Sequence, residues 1–217
     1  MAQAPVIVIS DLAQSPGARR LIAPMHLAPL MSDIQRDLYV IQWAREWQAG
    51  GGERFNPILR DLDLLIGSAT PDAGKIHLVS LGSGAIPAFK WLTYCARENK
   101  STTQVASFTL LAPSLSVHER TPRTSLTQAP RDMCVIGEES DDLIQFQELL
   151  STAVRLPHEP SLCLVRGPES YLWSDTISAD RAQVLQSAVE FSGSWKHAWR
   201  DWIVTSDKSF ANYGRTG

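Results

Sequence analysis

The sequence predicts an α/β fold with a mainly parallel, doubly wound sheet of about six strands. Three observations predict it: short apolar segments recur along the chain, helical patterns lie between them, and several apolar segments are continuous instead of alternating. Continuous apolar runs are typical of parallel strands that helices cover on both faces. The alternation of strand and helix therefore favours one sheet between two layers of helices.

Six segments have the length and composition of strands, which are usually short and rich in branched apolar residues. The first lies close to the amino terminus, and helical or irregular stretches separate the others. We expect strands at Pro5–Ser10, Leu38–Trp43, Ile76–Leu81, Val105–Ala112, Met133–Ile136 and Ser161–Val165.

Four segments have the apolar spacing of amphipathic helices. Asn56 and Ser178 are expected to cap two of them, because short polar side chains accept hydrogen bonds from the first free amides of a helix. Pro57 and Pro87 suit the first helical position, where an N–H group has no partner in the helix. The helices are expected from Asn56 to Ile66, from Pro87 to Glu98, from Asp141 to Val154 and from Ser178 to Val189.

Composition and charge indicate one globular domain. The chain has 217 residues, is 44% hydrophobic, carries a formal net charge of −3 and has no basic run, so nucleic-acid binding is not expected. No apolar run reaches the roughly 18 residues of a membrane span, and the first residues lack the charged region of a signal peptide. We expect a cytoplasmic protein with a single domain over residues 1–217, in which residues 192–217 form a Trp-rich C-terminal helix and tail.

The cysteines and histidines predict neither a metal site nor a cofactor. Cys95, Cys134 and Cys163 are far apart in apolar stretches, so we expect buried free thiols. No pair of histidines has the spacing of metal ligands on one face. His77 is expected in the core. His118 lies in a long polar segment after the fourth strand and is a candidate base.

The segment Ser80-Leu81-Gly82-Ser83-Gly84-Ala85 is the most informative of the chain. An apolar strand there meets a cluster of small residues, and a helix begins at once. A nucleophile elbow needs small residues at positions −2, +2 and +3, because strand and helix approach closely around one strained residue. Ser80, Gly84 and Ala85 satisfy that pattern around Gly82. The residue at the tip of the elbow therefore has no side chain.

Two other interpretations of this segment remain open. Ser83 becomes the nucleophile if the elbow is centred one residue later, although Leu81 would then crowd the turn. The run from Gly82 to Pro87 also nearly matches the dinucleotide fingerprint, but it ends in proline and lies in mid-chain. In each case a helix begins here, and its amino end suits an anion or a carbonyl group.

The order of elements, the elbow and two later strand–loop segments together resemble the α/β-hydrolase superfamily, in a minimal version without a cap domain. The resemblance runs from about Pro5 to Phe191. It implies a nucleophile at the elbow tip, an acid after a later strand and a histidine after the last strand. The matching positions here are Gly82, then Ser140 or Asp141, then Ser170.

The resemblance therefore implies a degenerate triad. Without a side chain at the tip and a histidine as base, no acyl-enzyme forms. Where the family usually has His-Gly after the first strand, this chain has Ser10-Asp11, and an aspartate there would oppose a developing negative charge. The remaining candidate catalytic residues are Ser83, Asp141, His118 and Asp11.

Ligand binding can persist where catalysis is lost. The leading hypothesis is a non-hydrolytic pseudoenzyme that binds a small apolar or acyl-like molecule or a protein partner. The alternative is an enzyme with changed chemistry on the same fold, a lyase or cyclase, or a residual esterase or thioesterase that uses Ser83. The residues expected to frame the ligand cleft are Ser10, Asp11, Gly82, Ser83, Gly84 and Ser170.

Tryptophan is the remaining unusual feature, with seven in the chain. Trp195, Trp199 and Trp202 share one face of the expected C-terminal helix. They either pack onto the domain or form a surface for a partner or a homodimer, since Trp is common in interface hot spots. Trp43 and Trp47 are expected near the mouth of the cleft.

Overall fold

The computed structural model describes residues 3–11, 27–43, 55–69, 75–98, 104–113, 130–139, 143–156 and 158–213. These residues form eight strands, six α-helices and one 3-10 turn. In chain order they are β1 (Val6–Asp11), α1 (Leu27–Asp33), β2 (Leu38–Trp43), α2 (Phe55–Ala69), β3 (Ile76–Leu81), the 3-10 turn (Gly82–Gly84), α3 (Ala85–Arg97), β4 (Val105–Leu111), β5 (Asp132–Glu138), α4 (Leu143–Arg155), β6 (Ser161–Gly167), β7 (Ser170–Ser174), α5 (Arg181–Ser187), β8 (Val189–Ser192) and α6 (Trp195–Tyr213).

The eight strands form one sheet in the order β2-β1-β3-β4-β5-β6-β7-β8. Strands β1 to β6 are parallel, β7 is antiparallel to β6, and β8 is antiparallel to β7. The chain proceeds from β1 outward to β2 and then returns to the other side of β1 to form β3. The point between β1 and β3 is therefore a topological switch point, and ligands of open α/β sheets bind at the carboxyl ends of the strands there.

Helices cover both faces of the sheet. Residues of α2, α3, α4 and α5 pack with one set of strand side chains, which includes Leu78 and Phe108. Residues of α1 and α6 pack with the opposite set, which includes Val79 and Leu111. Strand β3 is buried along its whole length, as expected for a parallel strand that helices cover on both faces. The doubly wound, mainly parallel sheet is thus confirmed.

The prediction of about six strands was wrong by two, because β7 and β8 were missed. The segment after β6 was interpreted as a loop, but Pro168 and Glu169 form a short connection between Gly167 and Ser170, which are paired. A connection of two residues is typical of a β-hairpin. Val189 was expected in the last core helix and lies in β8 instead.

Three expected helix starts also differ from the structure. Helix α2 begins at Phe55, so Asn56 lies within it and is not its cap, and Pro57 is its third residue. Helix α5 is capped by Asp180, whose carboxylate accepts a hydrogen bond of 2.9 Å from the Ala182 amide, and not by Ser178. Helix α3 begins at Ala85, so Pro87 is its third residue. A prolyl ring is tolerated there because the first turn of a helix has no partners for its N–H groups. None of the described helices is long and apolar enough to cross a membrane.

Candidate functional site

The elbow at the carboxyl end of β3 is centred on Gly82. Its φ is +61°, in the left-handed region that favours glycine. Ser83 follows within the 3-10 turn and is buried, with 2% of its surface exposed. The single strained position of this turn is therefore the one without a side chain. This geometry favours the elbow centred on Gly82 over the one centred on Ser83.

Gly84 lies against the end of β1. A Cβ atom at this position would be 2.1 Å from the Ile9 carbonyl oxygen and 2.8 Å from the Ile9 carbonyl carbon. No side chain fits at such a distance from a backbone carbonyl. The small residue two positions after the tip thus allows α3 to begin directly beside β1, as a nucleophile elbow requires.

Ser10 and Asp11 end β1 next to the elbow. Ser10 is paired with Leu81 of β3 and is buried. Asp11 is paired with Trp43 of β2, and the structure describes these two residues by their backbone alone. The carboxyl ends of β1 and β3 therefore bring together five of the six residues that were expected to frame a ligand.

Ser170, the sixth, lies elsewhere, and its expected place in the cleft is wrong. It is the first residue of β7, paired with Gly167 on one side and Ser192 on the other. Four strand spacings separate β7 from β3, which is about 19 Å. After β6 the chain forms a hairpin with β7, so Ser170 lies beside β6 and not near Gly82.

Several other predicted site residues lie outside the described residues. Ser140 and Asp141, the two candidates for the acid, are among them, as are His118 and Trp47. Glu139, which precedes Ser140 in the sequence, is described. Its carboxylate accepts a hydrogen bond from Arg166 Nε. Arg166 also bonds Glu190 at 3.0 Å. This carboxylate next to the expected acid position is thus held in an ion pair at the sheet surface.

At the amino end of the strands, the structure assembles a Ser, a His and an Asp in contact. Ser107 Oγ is 2.8 Å from His77 Nδ1, and His77 Nε2 is 3.2 Å from Asp207 Oδ1. His77 and Ser107 are paired residues of β3 and β4, and Asp207 comes from α6. The prediction of His77 in the core is confirmed, since its side chain is fully buried.

Charged groups surround Asp207 in this cluster. Lys75 Nζ is 2.9 Å from Asp207 Oδ1, and Arg36 donates to Asp207 Oδ2 and, at 2.7 Å, to the Ala4 carbonyl. Burial alone would raise the pKa of Asp207, but the hydrogen bonds from His77, Lys75 and Arg36 lower it well below its usual range. Asp207 is therefore a stable anion that anchors three donors.

The environment of His77 favours the neutral imidazole. Burial lowers the pKa of His77. The hydrogen bond to Asp207 and the charge of Asp207 raise it, but by less. Neutral imidazole has one donor and one acceptor nitrogen, so Nε2–H donates to Asp207 and Nδ1 accepts from the Ser107 hydroxyl. In a catalytic triad the serine bonds Nε2 and the carboxylate bonds Nδ1. The arrangement here is reversed, and Ser107 is only 1% exposed, so this cluster is structural.

Helix α6 docks on the sheet through its tryptophans as well as through Asp207. Trp199 is fully buried, and its Nε1–H donates to Thr109 Oγ1 at 3.0 Å. Trp195 is 4% exposed and packs 6.4 Å from the Trp199 ring, centroid to centroid. Of the three tryptophans expected as a possible partner surface, only Trp202 is partly exposed. Trp195 and Trp199 are buried, which supports the interpretation that these tryptophans pack onto the domain. The two residues are therefore not accessible as a surface for a partner.

The remaining polar features of the described residues add no second site at the elbow. All three cysteines are free and buried, as predicted. Within the described ranges, no group of three or more potential metal ligands comes together. A cavity of about 380 Å³ opens beside the Asp207 cluster, between Arg36, Val204 and Asp207, at the end of the sheet opposite to Gly82.

Comparison with known proteins identifies the fold. No family model matches the sequence, and no curated protein matches it. Among solved structures, the chain is similar to Est1E from Butyrivibrio proteoclasticus, with a TM-score of 0.54 and 8% identity over 94% of this chain and 88% of that one. It is also similar to an esterase from Rhizomucor miehei, with a TM-score of 0.52 and 12% identity over 97% of this chain and 76% of that one. The chain thus has an α/β-hydrolase fold.

Proposed function

We propose that this protein, with its α/β-hydrolase fold, is a non-hydrolytic member of that fold class which binds a small apolar or acyl-like ligand above the elbow. One observation carries the proposal. The elbow keeps the backbone geometry of a nucleophile site, with φ of +61° at Gly82, but the tip has no side chain. Acyl transfer by a serine enzyme needs a hydroxyl at that position.

The position of the elbow supports ligand binding. It lies at the switch point between β1 and β3, where open α/β sheets bind their ligands. Helix α3 also begins there, and the amino end of a helix carries partial positive charge. A carboxylate or a carbonyl oxygen is the group that such an end attracts. The two structural neighbours named above are esterases, so an acyl or ester group is the ligand chemistry we infer.

The absence of hydrolysis can be tested with a fluorophosphonate probe followed by intact mass measurement. Wild type, Ser83→Ala, Gly82→Ser and an active serine hydrolase are treated in parallel. We expect an adduct on the control enzyme alone, because a serine without a base is a poor nucleophile. An adduct on wild type that disappears in Ser83→Ala would mean that Ser83 is a working nucleophile, which would contradict the proposal.

Ligand binding needs its own test, with saturated fatty acids of increasing length as probes in native mass spectrometry. Gly82→Asn places a side chain at the tip with little backbone strain, because asparagine tolerates a left-handed conformation. We expect complexes with wild type and weaker ones with Gly82→Asn. Gln35→Asn is the matched control, since Gln35 has φ of +53° in an exposed turn at the other end of the sheet. Equal binding by all three proteins would exclude the elbow as the site.

The alternative of changed chemistry depends on Asp11, Asp141 or His118 as an acid or base. The Gly82→Ser variant bears on it. An adduct on that variant alone would show that the carboxyl edge still holds a competent base, and would favour an enzyme with altered chemistry over a pseudoenzyme.

A further inference from the structure

The edge strand β8 is unusually open for a strand of this sheet. It lies at one end of the strand order and pairs with β7 on one side. All four of its residues, Val189–Ser192, are exposed, including 57% of Val189 and 42% of Phe191. We propose that β8 pairs with β8 of a second copy of this chain, antiparallel, across a two-fold axis at Phe191.

The hydrogen-bond pattern of β7 and β8 fixes which backbone groups of the edge point outward. The Gly193 amide donates to the Glu169 carbonyl at 2.7 Å, in register with the paired residues Tyr171 and Phe191. In an antiparallel ladder, hydrogen-bonded and non-hydrogen-bonded pairs alternate. The backbone groups of Gly193 and Phe191 therefore point toward β7. The backbone groups of Glu190 and Ser192, which alternate with these residues along the strand, point outward to the open edge.

Side chains divide between the two faces of the edge. Phe191 lies on the face of Tyr171, and the two rings stack at 5.4 Å with planes 13° apart. Val189 shares this face because alternate residues of a strand point to the same side. Glu190 lies on the other face, where its carboxylate is 3.0 Å from the Arg166 guanidinium. The edge thus has an apolar row on one face and an ion-paired carboxylate on the other.

Two registers centre the two-fold axis on an inner residue of β8, Glu190 or Phe191, and they differ in charge. A two-fold axis at Glu190 would place two carboxylates directly opposite each other, which destabilises a sheet. An axis at Phe191 places Glu190 opposite Ser192 of the second copy, and Phe191 opposite its own equivalent. The second register also joins all the outward groups, because each Glu190–Ser192 pair then forms two hydrogen bonds. Charge and hydrogen bonding select the same axis.

The resulting interface is isologous, the type that closes a dimer. It would extend the sheet to sixteen strands and stack the four rings of two Tyr171–Phe191 pairs in one row. Natural edges that avoid such pairing are very short or carry charged residues, Pro or a bulge. Strand β8 is short, but its four residues include neither Lys nor Pro, and its one charged residue, Glu190, is ion-paired with Arg166. Because a strand of this length buries little surface, we expect association in the high-micromolar range.

A cysteine placed at the axis tests the register directly. Non-hydrogen-bonded pairs bring Cα atoms to about 4.5 Å, within the range of a disulfide. Phe191→Cys should therefore form a covalent dimer of twice the 24.0 kDa chain mass under mild oxidation. Val189→Cys is the matched control: it is exposed on the same face, but its copies would lie four residues apart, about 14 Å. The native cysteines are buried, and burial raises the pKa of Cys163 to about 12, so they do not compete.

Sedimentation of the uncrosslinked protein completes the test. Glu190→Pro removes an outward N–H without removing a hydrogen bond to β7, so it should abolish association. Because it also removes the exposed ion pair with Arg166, the thermal midpoint should fall only slightly. If Glu190→Pro fails to fold, Phe191→Lys serves in its place. A wild type that stays monomeric up to about 1 mM, a dimer that persists in these variants, or equal crosslinking of Phe191→Cys and Val189→Cys would each overturn the proposal.

Discussion

The two ends of the sheet contrast in which features of a serine-hydrolase site they resemble. At the carboxyl end, the turn after β3 has a left-handed backbone at Gly82 and approaches β1 closely, but Gly82 has no side chain. At the amino end, Ser107, His77 and Asp207 form a continuous hydrogen-bonded chain, but burial closes it to any substrate. The carboxyl end thus has the backbone geometry of such a turn without a nucleophilic side chain. The amino end has a Ser, a His and an Asp in contact, but no such turn and no access to substrate.

This contrast teaches that the residue types alone do not identify a catalytic site. A serine nucleophile needs an exposed, strained position, and an imidazole with Nε2 directed at the hydroxyl. At the amino end the same three residue types serve a different purpose. They join β3 and β4 to α6, so that the last helix is fixed by polar contacts as well as by tryptophan packing. We therefore expect substitutions at the two ends to have separable effects.

The largest effect is expected from Asp207→Ala. This change leaves the buried Arg36 guanidinium and the His77 imidazole without their shared acceptor. Removing one partner from a buried ion pair costs about 3–5 kcal/mol, and the free energy of unfolding in urea should fall by that amount. Asp201→Ala is the control on the same helix: Asp201 is 68% exposed and its ion pair with Arg200 should contribute under about 1 kcal/mol. Equal losses in both variants would show that the cluster does not anchor α6.

The next effect is expected from Gly84→Ala at the other end. The new methyl group would clash with the Ile9 carbonyl at 2.1 Å, so the start of α3 must move away from β1. Overpacking of this kind costs about 1–3 kcal/mol, and ligand binding should weaken in parallel. Gly67→Ala in α2 is the control, because nothing lies within 4 Å of its added Cβ atom. If both variants have the same urea midpoint of unfolding as wild type, the close approach of Gly84 to β1 does not contribute to stability.

Gly82→Ser should have a smaller effect. A left-handed conformation costs an L-residue about 1–2 kcal/mol, which a urea titration can measure. We expect ester hydrolysis by this variant to stay at the level of wild type. A gain of esterase activity in Gly82→Ser would weaken the contrast between the two ends. It would mean that a hydroxyl group at position 82 is the one catalytic group missing at the carboxyl end.

The smallest effect is the dependence of stability on pH near neutrality. Burial lowers the pKa of His77, so the unfolded chain takes up its proton near pH 6.5 and the folded protein does so at lower pH. Its contribution to stability is full above pH 6.5 and decreases as the pH falls. Between pH 6.5 and 5.5 the loss is at most about 1.4 kcal/mol.

His77→Gln isolates that contribution, since its unfolding free energy should change less over the same pH range. Nearby groups titrate differently. The lowered pKa of Asp207 gives stability that is lost only below about pH 4, whereas burial raises the pKa of Asp132, whose effect has the opposite sign. An identical pH slope in wild type and His77→Gln would exclude His77 as the source.

The sequence was sufficient for features that depend on local pattern. Short apolar segments predicted β1 to β6, and the bounds of β2 and β3 agree completely. The spacing of small residues predicted a tight turn centred on Gly82, where φ is +61°, because close packing of strand and helix requires small residues. The parallel order followed from the alternation of strands and helices.

What failed depended on contacts between distant parts of the chain. His77 bonds residues 30 and 130 positions away, and no local pattern relates them. Asp207 was missed for that reason, since an aspartate on a polar helix usually faces solvent. Ser170 was assigned by resemblance to a loop, whereas the signal for a hairpin was the short Pro168-Glu169 connection between two strand-like segments. The alternating pattern of Tyr171 and Trp173 was the available clue.

Helix α6 also determines when the fold can be completed during synthesis. It follows all eight strands in the chain, yet it covers the sheet face that carries Val79, Leu81 and Leu111. A ribosome adds about 5–20 residues per second, so a nascent chain with every strand already made still presents that apolar face for seconds. Of the described helices, α1 alone covers it during this interval. This face of the sheet is therefore completed only after Trp199 and Asp207 have been synthesised.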